Sequence, residues 1–309
     1  MATVVISGGS GMIGTALSHH LAANGYEIII LTRDPAKHRA KAHISYAAWD
    51  VEQKTIDESA IGRADYIVHL AGSNLSEGRW TAKRKKEILD SRIQSGGLLV
   101  KAIREIPNQI KAVISSSAMG FYGPDPVAPN PHPFVETDPP AHDFLGSVVQ
   151  QWEAAIQPVE ALGKRLVIFR TGIVLSNEAG AYVEFKKPLR FGMATVLGGG
   201  KQTVSWIHID DLVRLYHAAI EHASWKGVYN AVSPQPVTNR QLVLAMAAAR
   251  KKFYLTAPVP AFALKLVLGE MSVEVLKSTT VSSARLQQEG FNFLYPGIDA
   301  AMHALQGHS

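Results

Sequence analysis

Apolar, β-branched runs alternate with stretches of helical period along the first half of the chain. The runs are TVVISG (3–8), EIIILTR (27–33), ISYAAWD (44–50), YIVHLAG (66–72), AVISSSA (112–118) and RLVIFRTGIVL (165–175). Several are apolar without alternation, which predicts parallel strands covered on both faces. Between them the spacing predicts helices over 12–24, 81–105 and 143–161, and Gly25 stands just past the first, where a helix-terminating glycine belongs. Alternation of this kind predicts an α/β protein with a doubly wound parallel sheet.

Beyond about 176 the pattern loosens. SNEAG and VLGGGKQ predict loops, TVSWIHI predicts a strand, and a helix is expected from Asp210. GVYNAVS (227–233) is again strand-like, with a helix near 238–250. The tail opens on the proline-rich APVP near 258, and two or three short helices follow, ending in GFNFLYPGIDAAMHAL. No internal repeat and no low-complexity linker separates these parts. A large first domain (1–175, with some later segments returning to its sheet) and a smaller C-terminal lobe (176–309) packed on it are expected.

Composition narrows the classes. In 309 residues, 47% are hydrophobic and 18% charged, as in soluble globular chains, and the net charge of +5 is mild. The densest basic stretch, KRKKE (83–87), reads as a solvated helix face and not as a nucleic-acid patch. The absence of cysteine excludes disulfides and thiolate metal sites, and the twelve histidines show no HExxH spacing, so no metal is expected. No apolar run approaches a membrane span, and the N-terminus enters a strand without a signal-peptide pattern. These features predict a soluble cytoplasmic protein with no nucleic-acid or membrane partner, a monomer or homodimer acting on a small molecule.

The first strand runs into VVISGGSGMIG, where Gly8, Gly11 and Gly14 recur every third residue just before a helix. Gly8 permits a tight turn, Gly11 removes a side chain where backbone approaches a pyrophosphate, and Gly14 lets helix and strand pack closely. The N–H groups around Ser10, Met12 and Ile13 then face the anion. This is a dinucleotide site of the Rossmann type. At the end of the second strand, LTRD places Thr32 and Arg33 where a ribose 2′-phosphate would lie. A guanidinium clamps phosphate through paired bonds, which predicts NADP, while Asp34 offers the alternative of a ribose contact.

With those residues in hand, the chain resembles the extended short-chain dehydrogenase/reductase superfamily, in its NAD(P)-dependent epimerase/dehydratase group. The resemblance implies that Asp50 of WD (49–50) reaches the adenine amino group. It implies that VHLAG (68–72), with Leu70, Ala71 and Gly72, runs past the cofactor, and that SSSAMGFYG (115–123) carries the catalytic serine as Ser117, after Ser115 and Ser116. In FRTGIVL, Thr171, Gly172 and Ile173 would pass the nicotinamide. The motifs GRWTAKRKKEILDSRI, WEAA, FRTGIVLS and VSSARLQQEGFNFLYP are similar to a narrower branch. That branch is described as sugar-nucleotide-epimerase-like, with a C-terminal extension of unknown function.

The superfamily's chemistry uses a tyrosine and, four residues on, a lysine that lowers the phenol's pKa from its ordinary value near 10. The matching helix here, DFLGSVVQQWEAA (143–155), holds neither. Phe144, Val148 and Val149 are expected to pack there as apolar residues. One literal YxxxK, with Tyr182 and Lys186, comes a β/α unit later and reads as a chance match. Tyr122 is a further candidate acid, its other reading being a wall of the substrate pocket. His208 with Asp210 and Asp211 reads as a strand-to-helix transition capped by aspartate. Arg92 is either an organiser of the cofactor site or a structural ion pair, and Asn74 either a turn residue or a cofactor contact. The expected function is that of an NADP-dependent oxidoreductase or epimerase on a small polar or sugar-nucleotide-like substrate. The other reading is an NADP(H)-sensing protein without catalysis.

Overall fold

The computed structural model describes residues 1–307. Its first half alternates strands and helices apart from one run of three strands: β1 (Thr3–Ser7), α1 (Met12–Ala23), β2 (Glu27–Thr32), β3 (Ile44–Asp50), β4 (Thr55–Ile56), α2 (Glu58–Arg63), β5 (Tyr66–His69), α3 (Ala82–Glu105), β6 (Ala112–Ala118), α4 (Phe144–Ile156) and β7 (Arg165–Thr171). There follow β8 (Ile173–Leu175), α5 (Ala181–Leu189), β9 (Met193–Leu197), β10 (Thr203–Val204), β11 (Trp206–His208), α6 (Ile209–Glu221) and β12 (Gly227–Ala231). The chain closes with β13 (Val237–Thr238), α7 (Asn239–Ala249), β14 (Leu255–Val259), α8 (Ala261–Leu268), α9 (Ser272–Leu276), α10 (Ala284–Gln288) and α11 (Ile298–Gly307).

Eight strands form one sheet in the order β12-β7-β6-β5-β1-β2-β3-β4, parallel throughout except for the edge pair β3–β4. Successive strand residues point to opposite faces. Val4 and Ile6, with Val68, Ile114 and Phe169, meet α1 and α6 on one face, where Leu17, Leu21, Leu212 and Tyr216 are buried. Val5, Ile67, Val113 and Ile168 meet α2, α3 and α4 on the other, against Ile61, Leu99, Ile103 and Ile156. This double cover explains why the strands read as unbroken apolar runs. Strand order reverses at β1, whose neighbours are β2 and β5, and a crevice opens outside their carboxyl ends.

Several details differ from the expectation. The run 165–175 is two strands, because Gly172 breaks it. A side chain there would lie 2.7 Å from the Ser205 carbonyl, and the chain leaves the large sheet so that β8 pairs with β11. VLGGGKQ begins in a strand, and the proline-rich APV belongs to β14, which pairs in parallel with β9. The helix after β11 is capped by His208, not by an aspartate: the Asp210 N–H donates to His208 Nδ1. Asp211 is buried instead, accepting from the Leu294 and Tyr295 N–H groups and pairing with Arg214.

The smaller lobe has its own core, in which Tyr182, Val196, Trp206, Leu242, Met246 and Met302 gather α5, α7 and α11. The C-terminal segment is sewn to both parts. Lys277 binds Asp143 at the start of α4 (2.7 Å), and Leu286 enters the core under α6. KRKKE lies on the first turns of α3, with Lys83 and Lys86 exposed and Arg84 paired to Glu87. Among the described residues, no helix is long and apolar enough to cross a membrane.

Candidate functional site

The glycine turn occupies the crevice between β1 and β5. Gly8 has φ +72°, and a Cβ there would lie 2.8 Å from the Leu70 carbonyl carbon, so only glycine suits both the backbone and the contact. A Cβ on Gly14 would come within 2.4 Å of the Gly8 oxygen, which makes Gly14 the point where α1 closes on β1. Gly11 is different: its Cβ would meet only the Gly8 oxygen, at 3.4 Å. Its space is open on the outer side. Gly9, which the every-third-residue spacing passes over, is as constrained as Gly14, since a Cβ would strike Ile30 at 2.7 Å. α1 begins at Met12 with no side-chain cap and no acidic residue in its first turn. Its first N–H groups, including those of Met12 and Ile13, therefore face the crevice with the positive end of the helix dipole.

At the end of β2, Arg33 is exposed and makes no ion pair or hydrogen bond among the described residues. Asp34, the competing residue, is tied to Lys37 at 3.1 Å, and the Lys37 bond holds its carboxyl below the usual range. Thr32 lies within 3.4 Å of His38. Asp50 closes its own turn, with Oδ1 accepting from the N–H groups of Glu52 and Gln53. Asn74 does the same for Ser76, and its carbonyl accepts from Arg84 at 2.5 Å. Both are turn residues first.

Past β5 the chain runs Leu70–Ala71–Gly72 over the guanidinium of Arg92, whose Cζ would be 3.3 Å from a Cβ at Gly72. Among the described residues, the ion-pair reading of Arg92 finds no carboxylate. Its guanidinium donates to the Ile88 carbonyl (2.9 Å) and faces the Trp152 ring at 4.9 Å. Beneath it His69 is fully buried between Ser7 (2.7 Å) and Ser95 (3.4 Å). Burial first, and the Arg92 charge second, push its pKa down to about 4, so it is neutral at physiological pH.

The side chains at the ends of β6, β7 and β12 form one connected polar chain. Ser117 donates to Glu153 Oε1 at 2.6 Å. Arg170 grips the same carboxylate with Nε on Oε1 (2.8 Å) and Nη2 on Oε2 (2.9 Å), and its Nη1 donates to Tyr122 at 3.0 Å. Tyr122 in turn donates to Asn230 Oδ1 at 2.8 Å. Arg170 also stacks on Phe121, with Cζ 3.3 Å from the ring centre. Burial would lower the Arg170 pKa, but the bonds and charge of Glu153 outweigh it and raise it. Ser115 and Ser116 donate to strand carbonyls, and Thr171 to Phe169. Ile173 donates its N–H to Ser205.

Tyr122 does not fit the role of a proton donor. It is fully buried, its O–H is spent on Asn230, and burial, only partly offset by Arg170, pushes its pKa up to about 12. It ties Arg170 to Asn230. Glu153 and Arg170 carry no role in the motif reading, yet a signal for them exists. On α4 the buried positions Leu145, Val148, Val149, Trp152 and Ile156 define an apolar stripe, and Glu153 falls four residues after Val149 within it. Arg170 follows the apolar run Leu166–Phe169 of β7 and is itself buried. Opposite charges set in apolar surroundings on adjacent elements need each other.

A sequence model of the NAD dependent epimerase/dehydratase family matches residues 4–146, and one of a domain of unknown function (DUF1731) matches residues 259–305. An epimerase family protein of Staphylococcus aureus is 35% identical over 306 residues, covering 99% of each chain. The chain belongs to the NAD-dependent epimerase/dehydratase family. Among solved structures, it is similar to the human epimerase family protein SDR39U1 (isoform 2), crystallised with NADPH. The two share 29% identity and a TM-score of 0.87, covering 99% of this chain and all of the other. It is also similar to a nucleoside-diphosphate sugar epimerase from Corynebacterium glutamicum, with 31% identity, a TM-score of 0.76, and 98% of this chain against 58% of that one.

In this epimerase-family chain, the buried positions of α4 are apolar apart from Gly146. Leu145 and Val148 pack with Trp80 and Ile88, and Val149 packs with Phe121 and Tyr122. Phe144 lies edge-on to Trp80 at 5.2 Å. The literal YxxxK is elsewhere: Tyr182 is fully buried in the smaller lobe and accepts from Gln306 (3.1 Å), while Lys186 donates to Asn177 (3.0 Å).

Proposed function

We propose that this chain is an NADP(H)-dependent oxidoreductase- or epimerase-like protein acting on a small polar or sugar-nucleotide-like substrate. One observation carries the choice of cofactor: Arg33 stands unpaired beside the glycine turn while Asp34 is tied to Lys37. The glycine cradle fits a dinucleotide, because side chains are excluded at Gly8, Gly9 and Gly14 and the space outside Gly11 is open. The N–H groups of Met12 and Ile13, with Ser10, would hold the diphosphate, and Gly11 would leave room for it. Arg33 and Thr32 would hold the 2′-phosphate. Leu70 to Gly72, Ser115 and Ser116, and Thr171 to Ile173 would border the nicotinamide half. When bound, the cofactor supplies hydride transfer. The chain's own part is to orient it, with Ser117, buried at the end of β6, donating its proton to Glu153. The NADPH bound by the human relative and the name of the Corynebacterium relative support the cofactor and substrate class.

A second reading, an NADP(H) sensor without turnover, is favoured by one observation. Both candidate hydroxyl donors, Ser117 and Tyr122, spend their protons inside the protein, on Glu153 and Asn230. Calorimetric titration tests the shared claim. Charge-assisted bonds to a phosphate contribute about 1.5–3 kcal/mol. Arg33→Ala should therefore weaken NADPH by about tenfold or more and leave NADH unchanged. Equal losses for the two cofactors would overturn the assignment.

A further inference from the structure

Arg92 and Arg170 are both more than nine-tenths buried, and the protein treats them differently. Arg170 has a carboxylate on two of its nitrogens. Arg92, 7% exposed, has none: among the described residues it makes one hydrogen bond, from Nη1 to the Ile88 carbonyl, and its Nε and Nη2 have no acceptor. Its immediate surroundings supply no negative charge. His69 is neutral, Trp152 offers the face of its ring, and Arg84 adds a second cation nearby. Burial, then Arg84, lower the Arg92 pKa to about 10, which leaves it protonated at neutral pH.

A buried cation without a counter-ion is costly, and a fold that needs only packing at this place would be better served by methionine or leucine. The position is also not closed off. α3 runs so that Ile88, one turn nearer its N-terminus, shares a cluster with Val148 of α4, and the guanidinium follows that direction toward the carboxyl edge of the sheet. There it lies directly against Gly72, an exposed glycine with no side chain to cover it. The same stretch of α4 is apolar, with Val148 and Val149 buried, so Arg92 brings from α3 a positive charge that α4 does not provide.

We infer that Arg92 is an anion-recognition residue, receiving a phosphate or carboxylate group of a small molecule at the Gly72 loop. The planar fork of Nε and Nη2 presents two parallel donors, the arrangement that holds such groups in bidentate fashion. The anion has two possible sources, the diphosphate of the dinucleotide or an acidic group on a separate substrate. The inference deepens the cofactor reading in the first case and stands apart from it in the second.

The test compares wild type, Arg92→Met and Arg92→Lys by thermal unfolding with and without inorganic phosphate, and by calorimetry with NADPH and NADH. A ligand that binds only the folded state raises the midpoint. Wild type should gain stability with phosphate in a saturable way. Arg92→Met should start from an equal or higher midpoint, because an unpaired buried charge is gone, and should lose the gain. Arg92→Lys, with charge but no fork, should keep part of it. If the gain survives saturation with NADPH, the anion belongs to a separate substrate. If NADPH abolishes it and Arg92→Met weakens NADPH and NADH alike by at least tenfold, the anion is the cofactor's diphosphate. Should wild type bind neither cofactor yet still lose its phosphate response in Arg92→Met, the anion site stands and the cofactor reading falls. A methionine variant that keeps both the phosphate response and the cofactor affinities overturns the inference. So does one that is strongly destabilised while Arg92→Gln, folded, keeps those same properties.

Discussion

Glu153→Ala is the most informative single change, because it strands a charge. In the native protein the carboxylate accepts three hydrogen bonds at 2.6, 2.8 and 2.9 Å, from Ser117 and from Nε and Nη2 of Arg170. The side chains of Arg170 and Glu153 are 5% and 12% exposed, so water replaces little of what is lost. After the change, Arg170 keeps only Tyr122, the Glu136 carbonyl and the Phe121 face. Breaking a buried pair from one side costs about 3–5 kcal/mol, a large share of the roughly 5–15 kcal/mol that holds a domain folded. Removing Arg170 as well takes away the stranded charge. Glu153→Ala/Arg170→Met should therefore lie within about 2 kcal/mol of wild type, well short of the summed losses of Glu153→Ala and Arg170→Met. Urea unfolding followed by tryptophan fluorescence and far-ultraviolet circular dichroism reads both quantities. A loss below about 1 kcal/mol for Glu153→Ala would refute the reasoning, as would a double variant whose loss equals the sum of the single ones.

Three further outcomes are expected. Gly11→Val should stay folded, since a Cβ there meets only one backbone oxygen at 3.4 Å, but should lose NADPH and NADH together by more than tenfold; a folded variant with intact affinity would place the diphosphate elsewhere. His69 has its pKa held at about 4 in the folded chain, against 6.5 when unfolded, so below pH 6.5 the unfolded state takes up a proton that the native state refuses. Stability should therefore fall as pH drops from about 6.5 to about 4, by up to about 3 kcal/mol from this group. Urea midpoints across that range should decline less steeply in His69→Gln, and an unchanged slope would count against the buried neutral imidazole. Tyr182→Phe should cost about 1 kcal/mol for the bond from Gln306 and leave NADPH affinity within twofold; a large loss of affinity would make Tyr182 and Lys186 the working pair.

Periods of two and of 3.6 are properties of neighbouring residues, so the chain alone determines most of the element order. Unbroken apolar runs announce strands covered on both sides, and the stretch from Val4 to Gly14 states a strand, a tight turn and a helix in eleven residues. The glycine turn is readable for the same reason: its geometry is local. What the sequence could not determine is which distant residues meet. Ser117 and Glu153 are 36 residues apart, Arg170 is a further 17 on, and His69 finds Ser7 across 62 residues. The first two depend on crossovers that lay β6 beside β7 with α4 against β6, and the third on the pairing of β1 with β5. Sequence spacing therefore suggested Tyr122 as an acid, and only packing revealed that its proton is spent on Asn230. The break at Gly172 and the pairing of β9 with β14 have the same origin, since a strand is completed by its neighbour's hydrogen bonds. Local pattern determines which segments are helices and strands. The tertiary structure decides which charges are paired, and among the described residues it gives Arg92 no carboxylate.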